Sequence, residues 1–209
     1  MSSLLIFAVP EEAGPFRKLK VAGPDVIVTG MGPEIARAAV TKEFDRQRPD
    51  FVVTSGFCGG LDPGLRRGDV LIAPDSGESL LQAAEAVGIK QATFHCADTV
   101  AVTALEKETL RKQTNRDAVE MESGVIVELC RERDIPVATI RVISDEAAED
   151  LPLDFNRLGN GKGGINFGKL AIAIARHPGK IGKLMKLQKN AKFAAQQLAG
   201  KLAAFYGAI

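Results

Sequence analysis

At 209 residues, with 45% hydrophobic and 25% charged side chains, the chain has the composition of an ordinary globular domain and the length for one sizeable core. No stretch approaches the roughly 18 consecutive apolar residues of a membrane span, and residues 4–9 are too short and lack the basic start of a signal peptide, so the expected location is the cytoplasm. Three cysteines, Cys58, Cys96 and Cys130, follow neither a disulfide framework nor a zinc spacing, and no metal is expected.

The net charge of +1 conceals a division. Residues 155–209 hold ten basic side chains and no acid, whereas the first 154 residues hold 17 basic against 26 acidic. Such polarity suggests an anionic surface as partner, a membrane or a nucleic acid.

In chain order, residues 4–9 read as a buried strand that Pro10 stops just before Glu11 and Glu12. Residues 25–29 form a second strand running into Gly30-Met31-Gly32-Pro33, and Pro33 suits the first turn of a helix over residues 34–46, with Ile35, Ala38, Ala39 and Phe44 as its apolar stripe. Residues 51–55 are an apolar strand. It breaks into Gly56-Phe57-Cys58-Gly59-Gly60, read as a turn whose glycines allow close backbone approach to a ligand, although many such turns are only tight connections. Cys58 is a poor candidate nucleophile, since neither His95 nor His177 is placed by sequence to activate it. Beyond a turn at 62–69 come a strand at 70–73, a helix at 79–87, an extended run at 93–102 and a helix at 104–113. The alternation of strands and helices, without repeats or linkers, predicts a single α/β domain.

Residues 117–145, DAVEMESGVIVELCRERDIPVATIRVISD, carry the chemistry: a short strand at 118–120, a helix at 122–133 and an apolar strand at 136–143, each strand ending on acids. With both strand ends opening on one side of the sheet, Glu120, Glu122 and Asp145 are expected to converge on one pocket. Such acids also cap helices or sit in water, but Met121, between two glutamates, has no use in a solvated turn.

The tail, residues 180–205, is a basic amphipathic helix. Ile181, Leu184, Met185, Leu187, Ala191, Ala195, Leu198 and Leu202 fall in an arc of roughly 160° with Lys183, Lys186 and Lys189 opposite. It either packs on the domain with its lysines in water or lies on a membrane surface, peripheral to the inner membrane face. Without aromatic interleaving it offers little to a nucleic acid.

Taken together, VPEEA, TGMGP, SGFCGGLDPGLRRGDV, AVEMES and RVISD resemble, in order and spacing, the nucleoside phosphorylase and nucleosidase superfamily, over at least residues 4–146. The RHPGKIGKLMKL segment is similar to the hopanoid-associated phosphorylase branch, whose members are thought to remove adenine from adenosylhopane. The resemblance implies a three-layer αβα fold around a twisted mixed sheet, with a catalytic domain over 1–176 and the basic helix of 177–209 belonging to it or packed on it. It also implies cleavage of the N-glycosidic bond of a purine nucleoside without a cofactor, and a homo-oligomer.

Residue by residue, the resemblance makes Asp145 the acid that protonates the purine at N7. To hold a proton near neutrality it would need burial or a neighbouring acid. Glu122 would grip the ribose hydroxyls, Met121 and Met31 would line the sugar, and Ser144 and Glu120 would assist at the base. Glu12 matches the glutamate that activates water in nucleosidases. In hexameric purine phosphorylases this region and the glycine stretch bring phosphate ligands instead, but Thr54 stands where those enzymes have an arginine and Phe57 where they have a serine. Phosphate remains a candidate co-substrate, held by the backbone around Gly56 and Phe57. The chain also lacks, between Asp75 and Ser79, the segment that covers the pocket in members with small substrates, and Val100 replaces the aromatic that stacks on the base. These departures suit a bulky apolar 5′ substituent. Methylthioadenosine or S-adenosylhomocysteine as substrate, and a binding protein without catalysis, are the alternatives.

Overall fold

The computed structural model describes residues 2–158 and 178–209; the expected domain boundary at 176/177 lies outside them. Strand β1 (Ser3–Phe7) shows why the chain forms layers. Leu5 and Phe7 point into one apolar cluster and Leu4 and Ile6 into another, the period-2 alternation of a strand covered on both faces.

Along the chain follow α1 (Pro10–Leu19), β2 (Pro24–Val28), α2 (Pro33–Arg46), β3 (Phe51–Gly60), β4 (Val70–Ile72), α3 (Glu78–Ala86), β5 (Lys90–Gln91), β6 (Phe94–Cys96), α4 (Ala104–Thr114), β7 (Ala118–Glu120), α5 (Ser123–Arg131), β8 (Val137–Asp145) and α6 (Ile181–Ala208). The sheet runs β2-β1-β3-β8-β4-β5, with β7 paired to the far half of β3 and β6 to β7. Pairing is parallel among β2, β1, β3 and β8, and antiparallel where β4 meets β8 and β7 meets β3. The sheet is therefore mixed. Helices α1, α3 and α6 cover one face through Ala13, Phe16, Leu80, Leu198, Leu202 and Phe205, and α2 and α5 the other through Ala36, Val40, Ile126 and Leu129. This is the expected three-layer αβα arrangement.

Several expectations are corrected. The glycine stretch 56–60 is not a turn: it continues β3, paired with β8 along its length and with β7 at Gly59 and Gly60. The buried stripe of α2 is Ala36 and Val40, with Phe44 packed beside them, and Ala38 is exposed. Only Phe94–Cys96 of the extended run is a strand. Strand β7 runs antiparallel to β3 and β8 parallel to it, so the ends of β7 and β8 do not open on the same side of the sheet. The strand read as wholly apolar carries Arg141 at its centre. Among the described residues no helix is long and apolar enough to cross a membrane.

Helix α6 divides in two. Its second half buries Ala194, Ala195, Leu198, Ala199, Leu202 and Phe205 in the core, while near its start Ile181 and Met185 are 47% and 67% exposed. The apolar arc read from the sequence thus serves two surroundings.

Candidate active site

Pro10 at the first position of α1 puts Glu12 at the third, from which a glutamate reaches back to the backbone before the helix. Its Oε2 accepts the N–H groups of Ala8 and Val9, both at 3.1 Å, and its Oε1 accepts that of Phe57 at 2.7 Å. A side chain at position 56 would displace it, since a Cβ there would stand 2.7 Å from Glu12 Oε1. Burial raises the Glu12 carboxyl to a pKa of about 7, against the lowering pull of the Phe57 N–H and the Arg141 charge. A carboxylate that exchanges its proton near neutrality is suited to general base work.

Arg141, which the sequence reading passed over, lies at the centre of this site. It is 2% exposed, donates to Thr54 Oγ1 at 3.1 Å and pairs with Glu120 at 2.8 Å. Its Nε and Nη1, like the hydroxyl of Ser55, have no partner among the described residues. Donors buried this deeply without partners are costly, and a water or anion in contact with them would remove that cost. A narrow cleft beside them is lined by Thr29, Thr54, Ser55, Glu122 and Arg141.

Glu120, expected at the base, is instead engaged within the protein. One oxygen accepts Ser123 Oγ at 2.6 Å, and the other accepts Arg141 and the N–H groups of Glu122 (3.0 Å) and Ser123 (2.8 Å). It stands behind Arg141 and at the start of α5. Burial alone would raise its pKa, but Arg141 and the Ser123 bonds outweigh that and hold it below the usual carboxylate range. Glu122 differs: burial raises it, with Arg141 opposing. Its Oε1 receives the Gly32 N–H at 3.4 Å, which joins the 30–32 loop, and with it half-buried Met31, to the stretch bearing half-buried Met121. Gly32 has φ +100°, a conformation that a side chain at this position would strain.

Asp145 sits further along β3. The register between β3 and β8 shifts between Cys58 and Gly59, so that Asp145 rather than Ser144 lies opposite Gly59. Such a bulge re-aims a strand end. A Cβ on Gly59 would approach Asp145 Oδ2 to 3.2 Å. The carboxylate is buried, one of the two conditions expected of it, but its neighbour is a cation rather than an acid: Oδ2 pairs with Lys107, while Oδ1 accepts Ser144 Oγ at 2.7 Å. Gly56, beside Glu12, and Gly59, beside Asp145, are three positions apart along β3, roughly 10 Å. Val100 is tied down by Asn156, which accepts its N–H at 2.8 Å and donates to its carbonyl at 3.0 Å. Cys58 is buried between the acids, and burial pushes its thiol well above the usual range, which does not suit a nucleophile. Among the described residues no cluster of three His, Cys, Asp or Glu is placed to hold a metal.

Comparison with known proteins gives a consistent relationship. The model of the phosphorylase superfamily matches residues 74–175. The 5′-methylthioadenosine/S-adenosylhomocysteine nucleosidase of Shewanella sediminis is 28% identical over 178 residues, 66% of this chain and 75% of that protein. That of Shewanella loihica is 26% identical over 194 residues, 76% of this chain and 84% of that protein. In fold, futalosine hydrolase of Helicobacter pylori aligns over 100% of this chain and 98% of its own with a TM-score of 0.75 at 18% identity. The nucleosidase of Colwellia psychrerythraea, solved with adenine, aligns over 100% of this chain and 95% of its own with a TM-score of 0.73 at 19% identity. In its fold, its matched segment and its sequence relatives alike, the chain is similar to the phosphorylase superfamily of nucleoside phosphorylases and nucleosidases.

Proposed function

We propose that the chain cleaves the N-glycosidic bond of an adenine nucleoside, and that it does so by hydrolysis. One observation carries the reading: a buried glutamate with a pKa of about 7, fixed by three backbone N–H groups beside an arginine with unpartnered donors. Glu12 takes a proton from water as the water oxygen attacks the sugar carbon. The unpartnered donors of Arg141 hold that water. The electron pair of the breaking bond passes to the purine, and Asp145 supplies a proton to N7, so that the base leaves neutral. Glu122 accepts from the ribose hydroxyls, and a carboxylate there also favours positive charge developing on the ring. Met31 and Met121 provide an apolar surface to the sugar, Gly56 and Phe57 line it with backbone, and Ser144 assists Asp145. Glu120 acts at one remove, by holding Arg141.

The unpartnered donors of Arg141 also favour a second reading, in which orthophosphate replaces water as nucleophile. Incubating the protein with adenosine, with and without orthophosphate, separates the two. Hydrolysis gives free ribose at a rate indifferent to phosphate; a sugar 1-phosphate that appears only with phosphate would establish phosphorolysis.

For the substrate, we favour a bulky apolar 5′ substituent such as that of adenosylhopane. The link from β4 to α3 is short, which leaves little chain to cover the pocket, and α6 begins with an exposed apolar and basic turn through Ile181, Lys183, Met185 and Lys186. That turn is suited to an anionic membrane surface. The names of the sequence relatives favour methylthioadenosine or S-adenosylhomocysteine instead. Comparing kcat/KM for methylthioadenosine and for an adenosine bearing a long apolar 5′ chain decides: preference for the thioether overturns the lipid reading.

A further inference from the structure

We propose that Lys107 is a positioning residue that determines which oxygen of Asp145 carries the proton delivered to the base. The proposal rests on the reading of Asp145 as the acid.

Helix α4 is strongly polar, opened by Thr103 and Glu106 in a reciprocal cap. Its one buried residue is Lys107, 0% exposed, where an amphipathic helix would ordinarily place a leucine. A buried ammonium is tolerated only when its donors are filled. All three are: Nζ donates to Asp145 Oδ2, to the Glu146 carbonyl at 2.9 Å and to the Glu149 carbonyl at 3.0 Å. Gly59 leaves the room, since a Cβ there would meet both Asp145 Oδ2 and Lys107 Cε.

The consequence follows from hydrogen-bond polarity. An ammonium donates and cannot accept, so Oδ2 must remain an acceptor, and a proton on the acid is confined to Oδ1. Oδ1 is the oxygen beside Ser144, whose hydroxyl lies 2.7 Å from it and 3.2 Å from the Cys58 carbonyl. When Asp145 is ionised the hydroxyl donates to Oδ1; when Oδ1 is protonated the hydroxyl turns to Cys58. The proton therefore stands on one defined oxygen, and the ammonium faces the carboxylate left behind when it departs.

The test compares Lys107→Met with the wild type on adenosine and on 7-methyladenosine, whose base already carries its positive charge and needs no proton to leave. If Lys107 acts through the proton of Asp145, kcat/KM for adenosine falls by about 10²-fold relative to that for 7-methyladenosine, the range of a general acid. Equal losses on both substrates, or none, would show a structural clamp and overturn the proposal. Should Lys107→Met not fold, Lys107→Arg, which keeps the charge but displaces its donors, is read by the same ratio with the same two outcomes. A wild type that cleaves neither substrate would instead count against the reading of the site itself.

Discussion

Glu12 keeps its proton to about pH 7 because burial costs its anion more than three backbone N–H groups return. Relative to its ordinary value of 4.5, the folded chain binds this proton longer than the unfolded chain does. Its contribution to stability is therefore fully present below pH 4.5 and is lost as pH rises to about 7, on the order of 3 kcal/mol across that window. Urea unfolding at a series of pH values should show this decline, and Glu12→Gln should flatten it. Activity should run the opposite way, rising with pH through about 7 as the carboxylate becomes available as a base. Gly56→Ala should lower turnover and the unfolding midpoint together, because a Cβ 2.7 Å from Oε1 displaces the carboxylate from its backbone donors and φ +156° is a conformation that side chains rarely adopt. Arg141→Met should cost about 3–5 kcal/mol by stranding buried Glu120, and adding Glu120→Gln should recover part of it. If the single and double variants unfold at the same urea concentration, the pair is not what holds these residues.

At the scale of elements, the acids at strand ends and the amphipathic tail were legible because periodicity and punctuation mark them. Two cations were not. Arg141 sits in a strand whose neighbours are apolar, and an arginine there has no inexpensive place unless an acid meets it; that cost was the available clue. Lys107 gave none, since lysine on a polar helix ordinarily faces water. The glycine stretch reads as a turn, but its close approach is made to side chains, Glu12 and Asp145, from within a strand. Helix α6 was read as one amphipathic unit, yet its second half belongs to the core. Leu202→Ala should therefore cost about 2–5 kcal/mol in urea unfolding, whereas a charge reversal at Lys183, Lys186 and Lys189 should leave stability nearly unchanged. The same reversal should abolish sedimentation with anionic vesicles if the start of α6 meets a membrane; undiminished sedimentation would remove that role. Truncation before α6 is a poor substitute, as it deletes core residues.

Across the whole molecule, β3 organises the site. Its first half is a parallel central strand between two helical layers, and its second half carries the two glycines beside which the carboxylates of Glu12 and Asp145 are received. Arg141, opposite Gly56, and the cleft beside Glu122 lie toward Thr54, on the side of Gly56 away from Asp145. The two carboxylates are sorted by surroundings: Glu12 by backbone donors and burial, Asp145 by an ammonium and a hydroxyl. Such a division suits a reaction in which one group accepts a proton while another gives one. The most direct test is adenine release from adenosine by Asp145→Asn, with nucleoside affinity measured alongside. Release should fall by about 10²-fold or more while the nucleoside still binds. An Asp145→Asn protein that releases adenine at the wild-type rate would contradict the account.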